Sequence, residues 1–156
     1  MNSSVVSAER VIPAPPEAIF ALLTDPARHC QIDGSGTVRS VKTAPSALPL
    51  RLGSKFGMSM KHGISYSMVS EVVEFEQDRR IAWQSRPPGF AGKLGGGRTW
   101  RYVLEPTDGG TRVVESWDVS TDRQGRLLRL GGLPKQTQAA MEKTLARIEE
   151  IVTKDS

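Results

Sequence analysis

Glu115 is the residue of this chain with the clearest potential for chemistry. It lies between Val113 and Trp117 in an alternating stretch, so the three side chains share one face of a predicted strand. A carboxylate on an inward face costs several kcal/mol unless it is paired, hydrogen-bonded or protonated, and desolvation raises its pKa. Such a group serves either as a ligand-orienting acceptor or as a general acid or base. Two structural roles stay open: pairing with an arginine or with Tyr102 across the sheet, or an outward orientation caused by a β-bulge.

The other reactive side chains give weaker indications. The single cysteine, Cys30, excludes an internal disulfide and a multi-cysteine metal site. It follows His29, but a Cys-His neighbour pair is catalytic only with facing geometry, so Cys30 is interpreted as an ordinary helix-end residue. Neither His29 nor His62 falls on a segment that the pattern places inside a cavity. We therefore expect no metal site and no cofactor.

A predicted hairpin positions Glu115. Its strands, 98–105 and 111–120, flank a turn whose Asp108-Gly109 pair is typical of the positive φ angles of tight hairpins. Two corresponding sets of side chains then share a face across the hairpin: Trp100, Tyr102 and Leu104, and Val113, Glu115 and Trp117.

A long amphipathic helix, Leu133 to Val152, is predicted to cover that sheet. Its less polar positions recur with a 3.6-residue period, which defines one apolar stripe. The only surface available to this stripe is the antiparallel sheet predicted for residues 36 to 120. The stripe consists of Thr137, Met141, Thr144, Leu145, Ile148, Ile151 and Val152.

The remaining segments complete an α+β order of strand, two helices, six strands and long helix. A first strand, Ser4 to Ile12, precedes a proline-initiated helix and a brief second helix, about Pro26 to Gln31, with Asp25 as its N-cap. Further strands are predicted at 37–43, 55–61, 64–75 and 81–85, with a loop or ragged edge from Ala44 to Leu52. The adjacent Val72-Val73 pair prevents an assignment of faces on the third of these strands.

Size and charge narrow the class of protein. At 156 residues the chain is expected to form one domain, and no apolar run approaches the roughly 20 residues of a membrane span. The N-terminus lacks a secretory pattern, so a cytoplasmic location is expected. Basic residues between Asp33 and Glu71 are predicted to pair across the outer sheet face with the acids that follow. Nucleic-acid binding is not predicted, because these basic residues have neither aromatic residues interleaved among them nor a recognisable binding motif.

Three segments carry a family resemblance. The first two are Ile12 to Pro26 and Asp78 to Trp83. The third begins with Thr99 to Tyr102, continues through Glu105-Pro106 and through Gly109 to Val113, and ends at Glu115. They resemble the START-like superfamily called SRPBCC, and within it the polyketide cyclase/dehydrase and lipid-transport group. The resemblance implies a helix-grip (Bet v 1-like) fold, with seven curved antiparallel strands around the C-terminal helix, two short helices after the first strand, and a deep apolar cavity.

Such a cavity is a default ligand site when it is mostly apolar with a few polar groups. The alternative is that the apolar members merely pack the core. The expected ligand-binding residues are Phe56, Met58, Met60, Trp83, Phe90, Trp100, Tyr102, Glu115, Trp117, Met141 and Leu145.

Two loops are candidates for the cavity entrance. The segment Arg86 to Gly97, twelve glycine-rich residues carrying Phe90, is predicted either as a gate or as an ordinary mobile hairpin. The segment Thr121 to Gly132 is either a second part of the rim or the first turns of the long helix.

Two functions therefore remain as hypotheses. The leading one is a monomeric or homodimeric binder of a lipid, polyketide or aromatic metabolite. The other, implied by the resemblance, is an aromatase/cyclase in which Glu115, Tyr102 and Arg98 orient a poly-β-keto chain and move protons during ring closure and dehydration.

Overall fold

The computed structural model describes residues 4–36, 38–42, 49–86, 97–122 and 125–154, which form one antiparallel sheet and four α-helices. The seven strands of the sheet pair in the order β1-β7-β6-β5-β4-β3-β2, so the first and last strands are neighbours. Their bounds are β1 Val5–Ile12, β2 Val38–Lys42, β3 Lys55–His62, β4 Ile64–Glu76, β5 Arg80–Arg86, β6 Arg98–Thr107 and β7 Gly110–Asp118. The α+β class, the antiparallel sheet and the long C-terminal helix are confirmed.

The helices begin where the sequence provides start signals. Helix α1, Pro16–Leu23, has proline in its first turn, where the missing N–H would be unpaired anyway. The predicted second helix divides into a 3₁₀ turn, Pro26–Arg28, and a short α2, His29–Ile32. The Asp25 carboxylate accepts a 3.2 Å hydrogen bond from the Ala27 N–H, which confirms this N-cap. Two helices complete the fold, α3 Gly125–Leu128 and α4 Leu133–Lys154.

Helix α4 covers the β1 and β7 side of the sheet and also contacts α1 and α2. Its buried residues are those of the predicted stripe apart from Ile151, which is half-buried: Thr137, Met141, Thr144, Leu145, Ile148 and Val152. Burial of this stripe stabilises the helix more than its intrinsic propensity does.

The β6–β7 hairpin has the predicted register, although its turn differs in one respect. Tyr102 lies opposite Glu115, and Thr107 pairs with Gly110 across a two-residue turn. The positive φ angle belongs to Gly110 (φ 149°), whereas neither Asp108 nor Gly109 has one. A Cβ at Gly110 would lie 2.1 Å from the Ile12 carbonyl oxygen, so the close approach of β1 also requires glycine there.

A bulge explains the blurred alternation in β4. The register with β5 shifts between Val72 and Glu74. Met68, Ser70 and Val72 are buried before the shift, whereas Val73 is exposed. One extra residue in a strand exchanges the faces of the residues that follow, so two-residue periodicity alone cannot assign them.

One acidic residue of β4, Glu74, has different partners from those predicted. Lys55 does lie opposite Glu71 on neighbouring strands. Glu74, however, forms ion pairs with Arg101 and Arg80, which belong to β6 and β5 rather than to the basic segment. Within the described ranges, no helix is both long and apolar enough to cross a membrane.

Candidate functional site

Two rows of side chains cross four neighbouring strands and form the sheet side of the site. Antiparallel register places Ile81, Tyr102, Glu115 and Ala8 side by side on β5, β6, β7 and β1. The second row, two residues away on each strand, consists of Trp83, Trp100, Trp117 and Val6. The hairpin turn therefore aligns one carboxyl and one phenol beside a row of indoles.

A small cavity of about 100 Å³, here called the inner cavity, lies between these rows, α2 and α4. This volume is about two-thirds of the roughly 150 Å³ of an apolar cavity that binds benzene. The residues that line it are His29, Ile32, Asp33, Ser35, Val38, Met58, Met60, Trp83, Trp100, Tyr102, Glu115, Ala140, Met141 and Thr144.

Glu115 is buried on the wall of the inner cavity, with only 3% of its surface exposed. Burial raises its pKa to about 8, the nearby Asp33 adds to the rise, and a hydrogen bond from the Tyr102 hydroxyl opposes it. The carboxyl group is thus mainly protonated at neutral pH. Its Oε1 atom has no hydrogen-bond partner among the described residues. The inward orientation is therefore the observed one, and the bulge alternative is excluded.

Tyr102 lies directly across the sheet from Glu115 and is also buried. Burial raises the pKa of its phenol well above the usual value, and the neighbouring Glu115 reinforces the rise. The hydroxyl consequently stays protonated at neutral pH. The pair presents two neutral hydroxyl-bearing groups to the cavity.

His29 lines the inner cavity, although the sequence pattern did not place its segment there. The imidazole is buried and stacks on Trp83 with ring centroids 4.9 Å apart, and it meets the edge of Phe56 at 5.4 Å. Its Nε2–H donates to the Leu23 carbonyl oxygen at 3.0 Å. Burial lowers the pKa of His29, so the ring is neutral and Nδ1 is its acceptor atom. Helix α2 has only four residues, too few for periodicity to identify a buried face.

A second, larger cavity of about 580 Å³, the outer cavity, adjoins the first and shares five of its lining residues. The shared residues are Ser35, Met58, Met60, Trp100 and Ala140. The others are Gly34, Tyr66, Met68, Ser85, Arg98, Trp117, Leu133, Gln136, Thr137, Ala139 and Lys143.

Arg98 provides a cation on the wall of the outer cavity. Its Nε lies 3.4 Å from Asp122 Oδ2, but the atom makes no hydrogen bond within the part of the chain that the structure describes. Lys143 of α4 lines the same cavity and is exposed. The two cavities therefore differ in charge, since the inner one contains Asp33 and the neutral Glu115.

Most of the predicted site residues lie on cavity walls, and their role in binding stays a prediction. Phe56 and Leu145 do not line either cavity. Phe56 supports the rings of His29 and Trp83 from behind, whereas Leu145 is part of the core. Phe90 lies outside the described residues. The predicted residues on the walls are Met58, Met60, Trp83, Arg98, Trp100, Tyr102, Glu115, Trp117 and Met141.

The two predicted entrance loops are described only in part. Residues 87–96 of the predicted gate lie outside the described ranges, as do residues 44–48 of the Ala44 to Leu52 loop. In the second predicted entrance segment, Thr121 to Gly132, α3 is a separate short helix, and Gly131 (φ 64°) separates it from α4. In the described ranges, no group of three His, Cys, Asp or Glu residues is arranged to hold a metal ion.

Comparisons with known proteins identify one matching family model and two similar proteins. The family model described as polyketide cyclase/dehydrase and lipid transport matches residues 4–153. The uncharacterized protein Rv0088 of Mycobacterium tuberculosis H37Rv is 33% identical over 153 residues, 93% of this chain. The uncharacterized protein MT0096 of Mycobacterium tuberculosis CDC 1551 has the same identity over the same share of this chain. This chain spans 62% of the length of both relatives.

Solved structures show the same fold at low sequence identity. CV1439 from Chromobacterium violaceum matches with a TM-score of 0.69 and 18% identity over 96% of each chain. An AHSA1-like protein from Aeromonas hydrophila gives 0.65 and 18%, covering 97% of this chain and 93% of its own. DynU16, from the dynemicin biosynthetic locus, gives 0.67 and 16%, covering 97% of this chain and 48% of its own. At these identities the likeness concerns the fold alone.

Proposed function

Because this chain belongs to the polyketide cyclase/dehydrase and lipid-transport family, we propose that it binds a small hydrophobic molecule, such as a lipid, polyketide or aromatic metabolite, in the inner and outer cavities. The observation that carries the proposal is the unpartnered Oε1 of Glu115 on the wall of a largely apolar cavity. A buried polar atom without a partner is destabilising, so it indicates a group that a ligand completes.

The surrounding side chains suit such a ligand. Met58, Met60 and Met141 are unbranched and polarizable, so they adapt to ligands of different shape. Trp83 and Trp100 add flat aromatic walls. A protonated Glu115 donates a hydrogen bond to a carbonyl or hydroxyl oxygen, which would orient the apolar body within the cavity.

A second candidate function is an aromatase/cyclase-like reaction, and the raised pKa of Glu115 favours it. A carboxyl group with a pKa of about 8 beside a neutral phenol is suited to donate and recover a proton near neutral pH. The buried His29 adds a neutral acceptor to the same wall. Arg98 lines the outer cavity, so in this reaction it would hold a distant part of the substrate.

Two measurements with a panel of apolar and aromatic metabolites distinguish the two functions. Thermal unfolding detects binding, and analysis of each compound after incubation with the protein detects conversion. A ligand at 100 times its Kd stabilises the fold by about 2.7 kcal/mol, which raises Tm by roughly 5–10 °C. Binding without conversion, largely retained in Glu115→Gln, supports the binder. Conversion of the compound that is lost in Glu115→Gln but kept in the exposed control Glu105→Gln supports the enzyme. No stabilisation by any compound in a broad panel would contradict both.

A further inference from the structure

Two buried side-chain atoms in the described part of the chain lack hydrogen-bond partners, Glu115 Oε1 and Arg98 Nε. One residue lines the inner cavity and the other lines the outer cavity. Nearly all buried polar atoms in folded proteins are paired, so each of these two atoms requires an explanation. Because the two cavities adjoin, one molecule that occupies both can supply both partners.

The β6 strand sets the separation of these two groups. Arg98, Trp100 and Tyr102 alternate along it and all line the cavities, and Tyr102 lies opposite Glu115. Four residues of antiparallel strand span about 13 Å. Trp100 lies between the two polar ends and belongs to both cavities, as do Met58 and Met60. Apart from Ser35, the shared walls are therefore apolar.

Charge assigns a different chemistry to each end. The inner cavity contains the carboxylate of Asp33 and the protonated carboxyl group of Glu115. An anion bound there would be repelled by Asp33 and would oppose the ionisation of Glu115. The outer cavity contains Arg98 and Lys143. The Asp122 carboxylate lies 3.4 Å from Arg98 Nε but accepts no hydrogen bond from it. A guanidinium binds a carboxylate through two parallel N–H groups, so a ligand carboxylate would supply the aligned acceptor that this atom lacks.

We propose that the ligand is amphipathic with two unlike ends, an uncharged hydroxyl or carbonyl group at Glu115 and Tyr102 and a carboxylate at Arg98 and Lys143, joined by an apolar body about 13 Å long. This inference rests on the proposed function and specifies its ligand class. The volume of the inner cavity, about 100 Å³, limits the uncharged end to at most one six-membered ring. A phenol that carries a long carboxylic acid chain has this form.

Isothermal titration calorimetry with two matched probes tests the proposal. The first is a phenol with a para-hexanoic acid chain, and the second is the same phenol with its chain ending in a primary alcohol. We expect the acid to bind the unaltered protein about 10- to 100-fold more tightly than the alcohol, the range for a hydrogen bond to a charged group. In Arg98→Gln this preference should disappear, while the Kd of the alcohol changes less than about twofold.

Two further variants make the result specific. Arg10→Gln removes an equal charge from β1, where the guanidinium pairs with Glu149 away from both cavities, and should keep the preference. Lys143→Gln changes an exposed residue and should reduce the preference without altering Tm, which covers the case in which Arg98→Gln destabilises the fold. Equal binding of acid and alcohol to the unaltered protein would overturn the inference but keep the proposed function. Binding of neither probe, nor of any apolar compound in the wider panel, would overturn both.

Discussion

At the scale of single residues, the site depends on ionisable groups that the fold keeps neutral. Glu115 is protonated because burial disfavours its charged form, and His29 is unprotonated for the same reason. In an apolar cavity two such neutral groups provide a donor and an acceptor without the cost of an unpaired charge. The same shifts make the stability of the protein depend on pH.

Glu115 should make the fold less stable as pH rises from about 6.5 to 8. The pKa of the group is raised from 4.5 to about 8 on folding, so its stabilising contribution is complete below pH 4.5 and is lost as pH rises through 8. The lowered pKa of His29 acts in the opposite direction, but only below 6.5. Chemical denaturation at several pH values should therefore show a loss of about 1.5–2 kcal/mol between pH 6.5 and 8.

The variant Glu115→Gln isolates this effect. Glutamine has the shape of the protonated carboxyl group but does not titrate, so the loss between pH 6.5 and 8 should disappear. The exposed control Glu105→Gln should retain it. If Glu115→Gln and the unaltered protein show the same slope, Glu115 is not the buried acid that titrates in this range.

At the scale of elements, the β6–β7 hairpin and α4 determine where the site residues lie. The hairpin sets the register that pairs Tyr102 with Glu115. Helix α4 closes the opposite wall with Met141, Ala140 and Thr144, and its buried stripe fixes it against β1 and β7. Disruption of either element should affect stability and the site together.

Replacement of Gly110 by alanine should destabilise the hairpin by about 2 kcal/mol or more. Its φ of 149° is unfavourable for L-residues, and the added Cβ would lie 2.1 Å from the Ile12 carbonyl oxygen. Gly109→Ala is the matched control, because a Cβ there has no neighbouring atom within 4 Å. Equal urea midpoints for the two variants would mean that β1 does not constrain the turn.

Truncation of Leu145 to alanine should destabilise the fold by about 2–5 kcal/mol, the range for buried large-to-small changes. The side chain is 1% exposed and lies in the core on α4. Leu130→Ala, at a position 58% exposed, should change the free energy of unfolding by less than about 0.5 kcal/mol. A loss below 0.5 kcal/mol for Leu145→Ala, measured by urea unfolding, would mean that α4 is peripheral.

At the scale of the whole molecule, all three tryptophans of the chain lie on cavity walls. Trp83 lines the inner cavity, Trp117 the outer cavity, and Trp100 both. Trp83 belongs to β5, Trp100 to β6 and Trp117 to β7, so the three indole fluorophores lie on three different strands. A ligand that occupied both cavities would therefore contact all three tryptophans.

Intrinsic fluorescence should accordingly report occupancy of both cavities. Titration with the phenol acid probe should change the emission intensity or wavelength saturably, with the same Kd as calorimetry. In Trp83→Phe the remaining signal comes from Trp100 and Trp117 and should persist for a ligand that spans both cavities. A ligand whose signal vanishes in this variant while its calorimetric Kd is kept contacts neither Trp100 nor Trp117, and therefore does not span both cavities.

The sequence by itself determined the elements and most of the inward faces. The 3.6-residue stripe of α4 and the alternation in β6 and β7 follow from local burial patterns, so they predict Trp100, Tyr102, Glu115 and Trp117 on one side of the sheet. Local chemistry also identified the Asp25 cap, because its side chain bonds to a backbone group two residues away.

Only the tertiary structure decided what surrounds these faces. His29 enters the site because a four-residue helix packs its ring on Trp83, a contact between segments far apart in the chain. The bulge at Val72 depends on pairing with β5. The protonation of Glu115 likewise depends on desolvation by β5, β6, α2 and α4 together. Burial is a property of the assembled fold, whereas periodicity is a property of one segment, and this is why the sequence identified Glu115 and Tyr102 but not His29.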